Sequence, residues 1–159
     1  MIGSKFIHWN FSLPSTRLNL TRAVTHLTLW AMDIDICPIE LNSDVLVKVK
    51  HSTGVIASLS NDYFSWEREK RQQDLAGSRI WNAVAVFMKE HNVSEPEAKK
   101  GVKRIILEEE ARLRILVQKS EDMTAAARRY IDGLQSIAGG YGFWCATCPR
   151  YSKPEGDAI

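Results

Sequence analysis

The sequence of 159 residues has little net charge and no long apolar run. Its 21 basic and 19 acidic residues leave a formal net charge of +2, which does not indicate a nucleic-acid-binding surface or a polybasic membrane anchor. No apolar run approaches the roughly 20 residues that span a bilayer, and the first residues, MIGSKFIHWNF, lack the features of a secretory signal. We therefore expect a soluble, cytoplasmic protein that neither binds nucleic acid nor spans a membrane.

Cysteine is also scarce, since only three are present and only Cys145 and Cys148 lie close together. A structural zinc site needs four ligands, and the sequence has no second cysteine pair or closely spaced histidine pair to complete one. The surrounding pattern is helical rather than βαβ, which argues against a thioredoxin-like redox motif. We expect reduced cysteines with a structural role.

Apolar residues recur at helical spacing, and we find no convincing strand pattern, internal repeat or low-complexity tract. This spacing predicts an all-α protein that forms one domain, or part of one, over residues 1–159. Proline, serine and glycine residues mark the helix ends, and Ser94 with Glu97 three residues later predicts a capping box at the start of the fourth helix. The predicted helices cover residues 18–37, 43–73, 78–92, 94–119 and 121–139, and residues 140–159 are predicted to form a C-terminal loop.

The stretch NDYFSWEREK places Asn61, Ser65 and Glu69 at four-residue steps in the second predicted helix. On a helix these positions rise about 12 Å in total and share one face, and Glu69 can reach back toward Ser65. An amide, a hydroxyl and a carboxylate oxygen form a hard ligand set that suits Mg²⁺, or Mn²⁺, better than zinc or copper. One charged ligand alone binds such an ion weakly and leaves positions for an anionic substrate, whose charge Lys70 can oppose.

Spacing alone favours a simpler explanation, a solvated polar helix face. However, the pattern NDxxSxxxEK at positions 61–70 resembles the second metal-binding motif, or NSE motif, of class I terpene synthases. The segment WCATCPRY at positions 144–151 is similar to the family's Arg-Tyr pair, which follows the last long helix. Between them, RIWNAVAVFMKEHNVSEPEAKK resembles the cyclase domain of fungal terpene synthases, including bifunctional ones with a prenyltransferase domain. The resemblance extends from about Leu13 to Tyr151, and it implies the class I terpenoid synthase α-helical fold.

The same resemblance implies roles for individual residues. Asn61, Ser65 and Glu69 would bind one Mg²⁺ of a three-metal cluster. Arg150 and Tyr151 would hold the substrate diphosphate as the site closes. The other site residues that the resemblance implies are Arg17 as the diphosphate-sensing arginine, with Arg22 as its near competitor, and Trp144 as an aromatic residue of the substrate pocket. Lys70, chosen for its charge and position, is expected to contact the diphosphate as well.

Two departures from the family pattern affect the expected mechanism. Leu20 stands where the family usually has an acidic residue that links the sensing arginine to a helix break. The family's first metal motif, the aspartate-rich DDxxD, has no counterpart, because Asp33 and Asp35 lack its spacing. The chain therefore looks like the C-terminal half of a cyclase. We expect a second chain, or a missing N-terminal half, to supply the DDxxD helix.

The expected function is that of a class I terpene cyclase acting on a linear prenyl diphosphate of the di- or sesterterpene type. In the chemistry that the resemblance implies, Mg²⁺ and cationic side chains stabilise the departing diphosphate, and a carbocation then cyclises in an apolar pocket. One alternative is a catalytically inactive remnant or helical interaction protein that needs a partner chain. A third, less well matched, is a prenyltransferase relative, a class that normally has two aspartate-rich motifs.

Overall fold

Helices account for the regular secondary structure of the described residues, and no strand occurs among them. The computed structural model describes residues 15–76 and 80–152, and for residues 15–22, 74, 76 and 152 it describes the backbone alone. The predicted all-α fold class is confirmed. In chain order the helices are α1 (Ser15–Ala31), α2 (Pro38–Leu41), α3 (Asp44–Ala76), α4 (Ala83–His91), α5 (Glu95–Gln118), α6 (Ala125–Thr147) and α7 (Pro149–Ser152).

The 33-residue helix α3 is central, and α1, α4, α5 and α6 pack against it. One apolar cluster lies where α3, α5 and α6 meet, around the fully buried Leu46, Tyr130 and Leu134. A second lies where the C-terminal half of α3 meets α4 and α5, around Trp66 and Phe87. Burial of these apolar side chains is the main force that holds the helices together. Because Trp66 follows Ser65 in the chain, the second cluster anchors the part of α3 that carries the NSE motif.

Helix α1 ends at Ala31, so the predicted continuation to residue 37 was wrong. Asp33 adopts a left-handed backbone conformation with φ of 49°, and the Ile34 N–H donates to the carbonyl oxygen of Leu29 at 2.9 Å. Such a left-handed residue is a common way for a helix to end. Residues 34–37 are not helical, which allows Ile34 and Ile36 both to insert into the first apolar cluster. Two residues that are two positions apart do not share a helix face, so burial of both favours the non-helical link.

Helix α6 continues to Thr147, so the predicted helix end at residue 139 and the predicted loop from residue 140 were wrong. Gly139 and Gly140 each lower helix propensity by roughly 1 kcal/mol relative to alanine. The segment that follows them is packed, since Cys145 is buried and Tyr141 is part-buried. Tertiary packing of this kind supplies most helix stability in proteins and outweighs the weak propensity. Residues 149–152 form α7, and residues 153–159 lie outside the described part of the chain.

Capping residues set where α4, α5 and α6 begin. The capping box predicted for α5 is confirmed, because the Ser94 N–H donates to Glu97 Oε2 at 3.0 Å. Helix α4 begins at residue 83, after its N-cap residue Asn82, so the predicted helix was wrong for residues 80–82; residues 78 and 79 of that prediction lie outside the described residues. Helix α6 begins at residue 125 rather than 121, because Thr124 caps it. Helix α3 ends at residue 76 rather than 73.

None of the described helices is both long and apolar enough to cross a bilayer.

Candidate metal and diphosphate site

The residues of the NSE motif face other elements of the fold rather than solvent. Ser65 Oγ donates a hydrogen bond to Glu69 Oε1 at 2.5 Å, so these side chains meet across one helical turn as their spacing predicts. Asp62 is 1% exposed and Ser65 is 4% exposed. The alternative of a solvated polar face is therefore wrong for this part of α3.

Asn61 on α3 contacts both α6 and α7. Its Nδ2 donates to the hydroxyl oxygen of Tyr141 on α6 at 3.0 Å and to that of Tyr151 on α7 at 2.8 Å. Both amide hydrogens are thus directed at phenol oxygens, and among the described residues no hydrogen bond reaches Oδ1. The amide oxygen keeps its capacity to act as a ligand.

Asn82, the N-cap residue of α4, holds the other two motif residues. Its Nδ2 lies 3.1 Å from Glu69 Oε2, 3.5 Å from Ser65 Oγ and 2.9 Å from the backbone oxygen of Asp62. In the opposite direction, the Ala83 N–H donates to Asp62 Oδ2 at 2.7 Å. The carboxylate thereby lies at the N-terminus of α4, where the exposed N–H groups and the helix dipole favour negative charge.

Three aromatic side chains pack together where α6 meets α7. The Trp144 ring stacks on Tyr141 with a centroid separation of 5.7 Å and meets the edge of Tyr151 at 5.8 Å. Burial raises the pKa of Tyr141 to about 12, and the nearby Cys145 adds to the rise. Burial also raises the pKa of Cys145. Tyr141 and Cys145 are therefore neutral at physiological pH, and Tyr141 keeps its hydroxyl proton.

Lys70 and Arg150, the expected diphosphate-binding cations whose side chains the structure describes, contact different partners. Arg150 is exposed, and its guanidinium carbon lies 5.9 Å from the centroid of the Tyr151 ring. Lys70 Nζ lies 2.8 Å from Glu95 Oε2 at the start of α5, and this hydrogen bond is the main cause that lowers the pKa of Glu95. The backbone of Arg17 is in α1, but its side chain, like that of Arg22, lies outside the described part of the chain.

The donor atoms of Asn61, Ser65 and Glu69 fit a hard divalent cation. Neighbouring oxygens around octahedral Mg²⁺ are about 2.9 Å apart, given Mg–O distances of about 2.1 Å, and Ser65 Oγ and Glu69 Oε1 already approach each other to 2.5 Å. Within residues 15–76 and 80–152, no group of three or more His, Cys, Asp or Glu residues is arranged to hold a metal ion. Only one of these three side chains carries a charge. They would therefore bind Mg²⁺ weakly unless an anionic substrate supplied further oxygen ligands.

Sequence reasoning missed two residues that contact the motif, Asn82 and Tyr141. An available signal for Asn82 was its position directly before the apolar run AVAVF, which is typical of an N-cap. Tyr141 was assigned to a loop because two glycines precede it. Had the helix been continued through them, its position three residues before Trp144 would have placed both rings on one face.

Sequence comparisons place the chain in a known family. A family model described as "Terpene synthase family 2, C-terminal metal binding" matches residues 19–112, more than half of the chain. Bifunctional terpene synthase FUP1 of Fusarium proliferatum is 35% identical over 106 residues, which are 64% of this chain and 14% of that protein. Ophiobolin F synthase oblA of Cochliobolus heterostrophus is 38% identical over 99 residues, 60% of this chain and 13% of that protein. Sesterterpene synthase btcA of Neocamarosporium betae is 33% identical over 97 residues, 58% of this chain and 13% of that protein.

A structural comparison agrees on the fold. The solved structure of T181N Cucumene Synthase superposes with a TM-score of 0.68 at 23% identity, over 82% of this chain and 44% of that chain. This similarity shows the class I terpene synthase α-helical fold, and the chain spans less than half of the solved protein. The matched family model, together with the helical fold, shows that the chain belongs to terpene synthase family 2, and residues 19–112 are the part that matches the model of its C-terminal metal-binding region.

Proposed function

We propose that the chain is the part of a class I terpene cyclase that carries the NSE motif. The proposed substrate is a linear prenyl diphosphate of the di- or sesterterpene type. The observation that carries the proposal is the contact of Ser65 Oγ with Glu69 Oε1 on a buried face of α3, one turn from Asn61. The similarity to an ophiobolin F synthase and a sesterterpene synthase supports the substrate class.

The proposed ligands of one Mg²⁺, or Mn²⁺, are the side-chain oxygens of Asn61, Ser65 and Glu69. When bound, the ion would supply positive charge that stabilises the departing diphosphate. Tyr141 and Tyr151 accept both hydrogens of the Asn61 amide and leave its oxygen as the ligand. The Glu69 carboxylate accepts hydrogen bonds from Ser65 and Asn82, so one oxygen is directed to each neighbour.

The proposed contacts with the substrate diphosphate come from Tyr151, Arg150, Lys70 and Arg17. Tyr151 contacts Asn61 through its hydroxyl oxygen, which leaves the phenolic proton to donate to a phosphate oxygen. Arg150 lies beside the Tyr151 ring and can form two parallel hydrogen bonds with phosphate. Lys70 contributes a point charge one residue after the last metal ligand. Each of these groups acts electrostatically on charge that develops as the diphosphate departs.

Trp144 is the proposed aromatic wall of the substrate pocket. It packs against Tyr141 and Tyr151 and so lies beside the residues that hold Asn61. An aromatic face stabilises a desolvated cation by about 1–2 kcal/mol. The indole can therefore stabilise carbocation charge close to the proposed diphosphate site, where water has to be excluded.

The proposed site is completed by a helix that these 159 residues do not supply. In the family that the chain resembles, an aspartate-rich motif on another helix binds the same metal cluster, and this sequence has no such motif. A second chain or a preceding segment of a longer protein is the proposed source. The matched parts of the curated relatives are 13–14% of their lengths, which supports a requirement for further segments.

One feature favours the alternative of a non-catalytic helical protein that needs a partner. An open, largely apolar groove of about 490 Å³ lies between α1 and α6, lined by residues that include Leu27, Met32 and Ile137. Trp30 on α1 is 80% exposed. Exposed apolar surfaces of this kind commonly mark contacts with other chains. The completing part of a cyclase would also make such contacts, so metal binding is the property that separates the two candidates.

Calorimetric titration with Mg²⁺ in the presence of inorganic diphosphate tests the proposal. We expect heat that requires both ions and that is lost in an Asn61→Ala, Glu69→Ala double variant. Glu108→Ala is the matched control, because Glu108 is an exposed carboxylate on α5 and its loss should leave binding unchanged. Absence of heat in the unmodified chain, or equal heat in the double variant, would refute a metal site at the NSE motif and favour the non-catalytic alternative.

A further inference from the structure

Asn82 uses both ends of its side-chain amide, since Oδ1 caps α4 and Nδ2 bonds to α3. The residue is 1% exposed. Its Oδ1 accepts from the Val84 N–H at 2.9 Å, which is the N-cap interaction of α4. Its Nδ2 faces the backbone oxygen of Asp62 and the carboxylate of Glu69, at 2.9 and 3.1 Å. Capping α4 needs only the bond between Oδ1 and the Val84 N–H, so the contacts of Nδ2 are additional.

The partners of Asn82 permit only one orientation of its amide. Nδ2 has two hydrogens, and its two closest partners are oxygens that can only accept. The partner of Oδ1 is an N–H that can only donate. Rotating the amide by half a turn would set oxygen against oxygen and nitrogen against nitrogen. The direction of the hydrogen bond to Glu69 is therefore fixed by the start of α4.

We propose that Asn82 is the positioning residue of the metal site, because its amide fixes the carboxylate of Glu69 and, through it, the hydroxyl of Ser65. This inference rests on the proposed function and adds a residue to it. Glu69 Oε2 is held by Asn82 while Oε1 accepts from Ser65, so the carboxylate plane is set from both sides. Partners that orient metal ligands in this way influence metal affinity without touching the ion.

Asp62 connects the position of Glu69 to the docking of α4. The backbone oxygen of Asp62 accepts from Asn82, and its carboxylate accepts from the Ala83 N–H, so the N-cap residue and the first residue of α4 are both bound to one residue of α3. The first turn of α4 cannot shift along α3 without breaking both bonds. Burial of Val84 and Phe87 in the second apolar cluster holds the same turn in place. The metal ligand is thus oriented by a packed helix rather than by a loop.

The test compares Asn82→Ser with Thr124→Ala in the full chain. Serine caps a helix as well as asparagine does, but it is too short to reach Glu69. Thr124→Ala removes a helix cap at α6 and leaves Asn82 unchanged. We expect Asn82→Ser to weaken Mg²⁺ binding in the presence of diphosphate by about 10- to 100-fold. Thr124→Ala should lower thermal stability and leave Mg²⁺ affinity unchanged. Equal affinity of Asn82→Ser and the unmodified chain, measured where both are folded, would overturn the proposal.

A second measurement without metal separates this inference from the proposed function. Side-chain NMR coupling constants of Glu69 should report one rotamer in the unmodified chain and an average over rotamers in Asn82→Ser. One rotamer in both proteins would refute the positioning role, whether or not Mg²⁺ binds. Failure of the unmodified chain to bind Mg²⁺, with the expected change in the Glu69 couplings, would refute the metal site and leave Asn82 as the residue that orients Glu69.

Discussion

Replacing Gly101 with alanine should disrupt the packing of α4 against α5. An ideal Cβ at this position would lie 2.2 Å from Cζ of Phe87 and 2.5 and 2.7 Å from two other ring carbons. Carbon atoms in favourable contact are about 3.5–4.0 Å apart, so the ring would have to move by more than about 1 Å. Phe87 is buried in the second apolar cluster, which limits that movement. The same cluster holds the helix that carries Asn82.

Two opposing effects determine the magnitude. Overpacking of a core typically costs about 1–3 kcal/mol, and three ring contacts this short place Gly101→Ala near the upper end. Alanine in a helix is favoured over glycine by about 1 kcal/mol. The expected net loss is about 2 kcal/mol in the free energy of unfolding. For a chain of this size that corresponds to a decrease in Tm of about 4–8 °C.

Urea denaturation measures the free energy of unfolding of Gly101→Ala, and Gly139→Ala provides the matched control in the same assay. Gly139 is also in a helix, but no atom lies within 4 Å of its ideal Cβ. Only the gain in helix propensity remains, so we expect Gly139→Ala to raise the free energy of unfolding by about 0.5–1 kcal/mol. A Gly101→Ala variant that is as stable as the unmodified chain would refute the packing argument. A destabilised Gly139→Ala variant would instead contradict the continuation of α6 through its two glycines.

Two further predictions concern the site. The pKa of Tyr141 is raised to about 12 in the folded chain, whereas an unfolded tyrosine ionises near pH 10. The stabilisation from neutral Tyr141 is therefore complete below about pH 10, and it is lost as the pH rises to about 12. Over that interval the free energy of unfolding should fall by about 1–2 kcal/mol more in the unmodified chain than in Tyr141→Phe, as measured by urea denaturation, and equal slopes would contradict the assignment. Lys70→Met should weaken Mg²⁺-dependent diphosphate binding. Glu95→Gln removes the same partly exposed ion pair and should leave that binding unchanged. Either change should lower the free energy of unfolding by at most about 1 kcal/mol. Equal binding losses in calorimetry would show that Lys70 acts by holding α5 rather than by contacting diphosphate.

Local sequence signals were enough for the helices that have clear caps and for the motif spacing. Ser94 and Glu97 predicted the start of α5 to within one residue, because a capping box uses only groups within four consecutive positions. The four-residue step from Ser65 to Glu69 likewise predicted their contact, since helix geometry alone brings such side chains together. Neither prediction needed knowledge of another part of the chain.

Long-range contacts determined what local signals could not. The glycines in α6 predicted a helix end, but packing of the residues beyond them maintained the helix to Thr147. The helical pattern near Ile34 and Ile36 predicted a longer α1, but burial of both side chains in the core required a break. In α6, tertiary burial outweighed the lower helix propensity of glycine, which is about 1 kcal/mol per residue.

The sequence by itself determined the all-α class, the family motifs and the hard-ligand character of Asn61, Ser65 and Glu69, because residue type and helical period are local properties. Only the tertiary structure decided which groups contact these three side chains. Tyr141 and Tyr151 contact Asn61 from 80 and 90 residues away in the chain. Asn82 contacts Glu69 across 13 residues and an intervening helix end. These contacts depend on how α4, α6 and α7 dock on α3, and docking is set by the shapes of buried apolar surfaces, which no local pattern specifies.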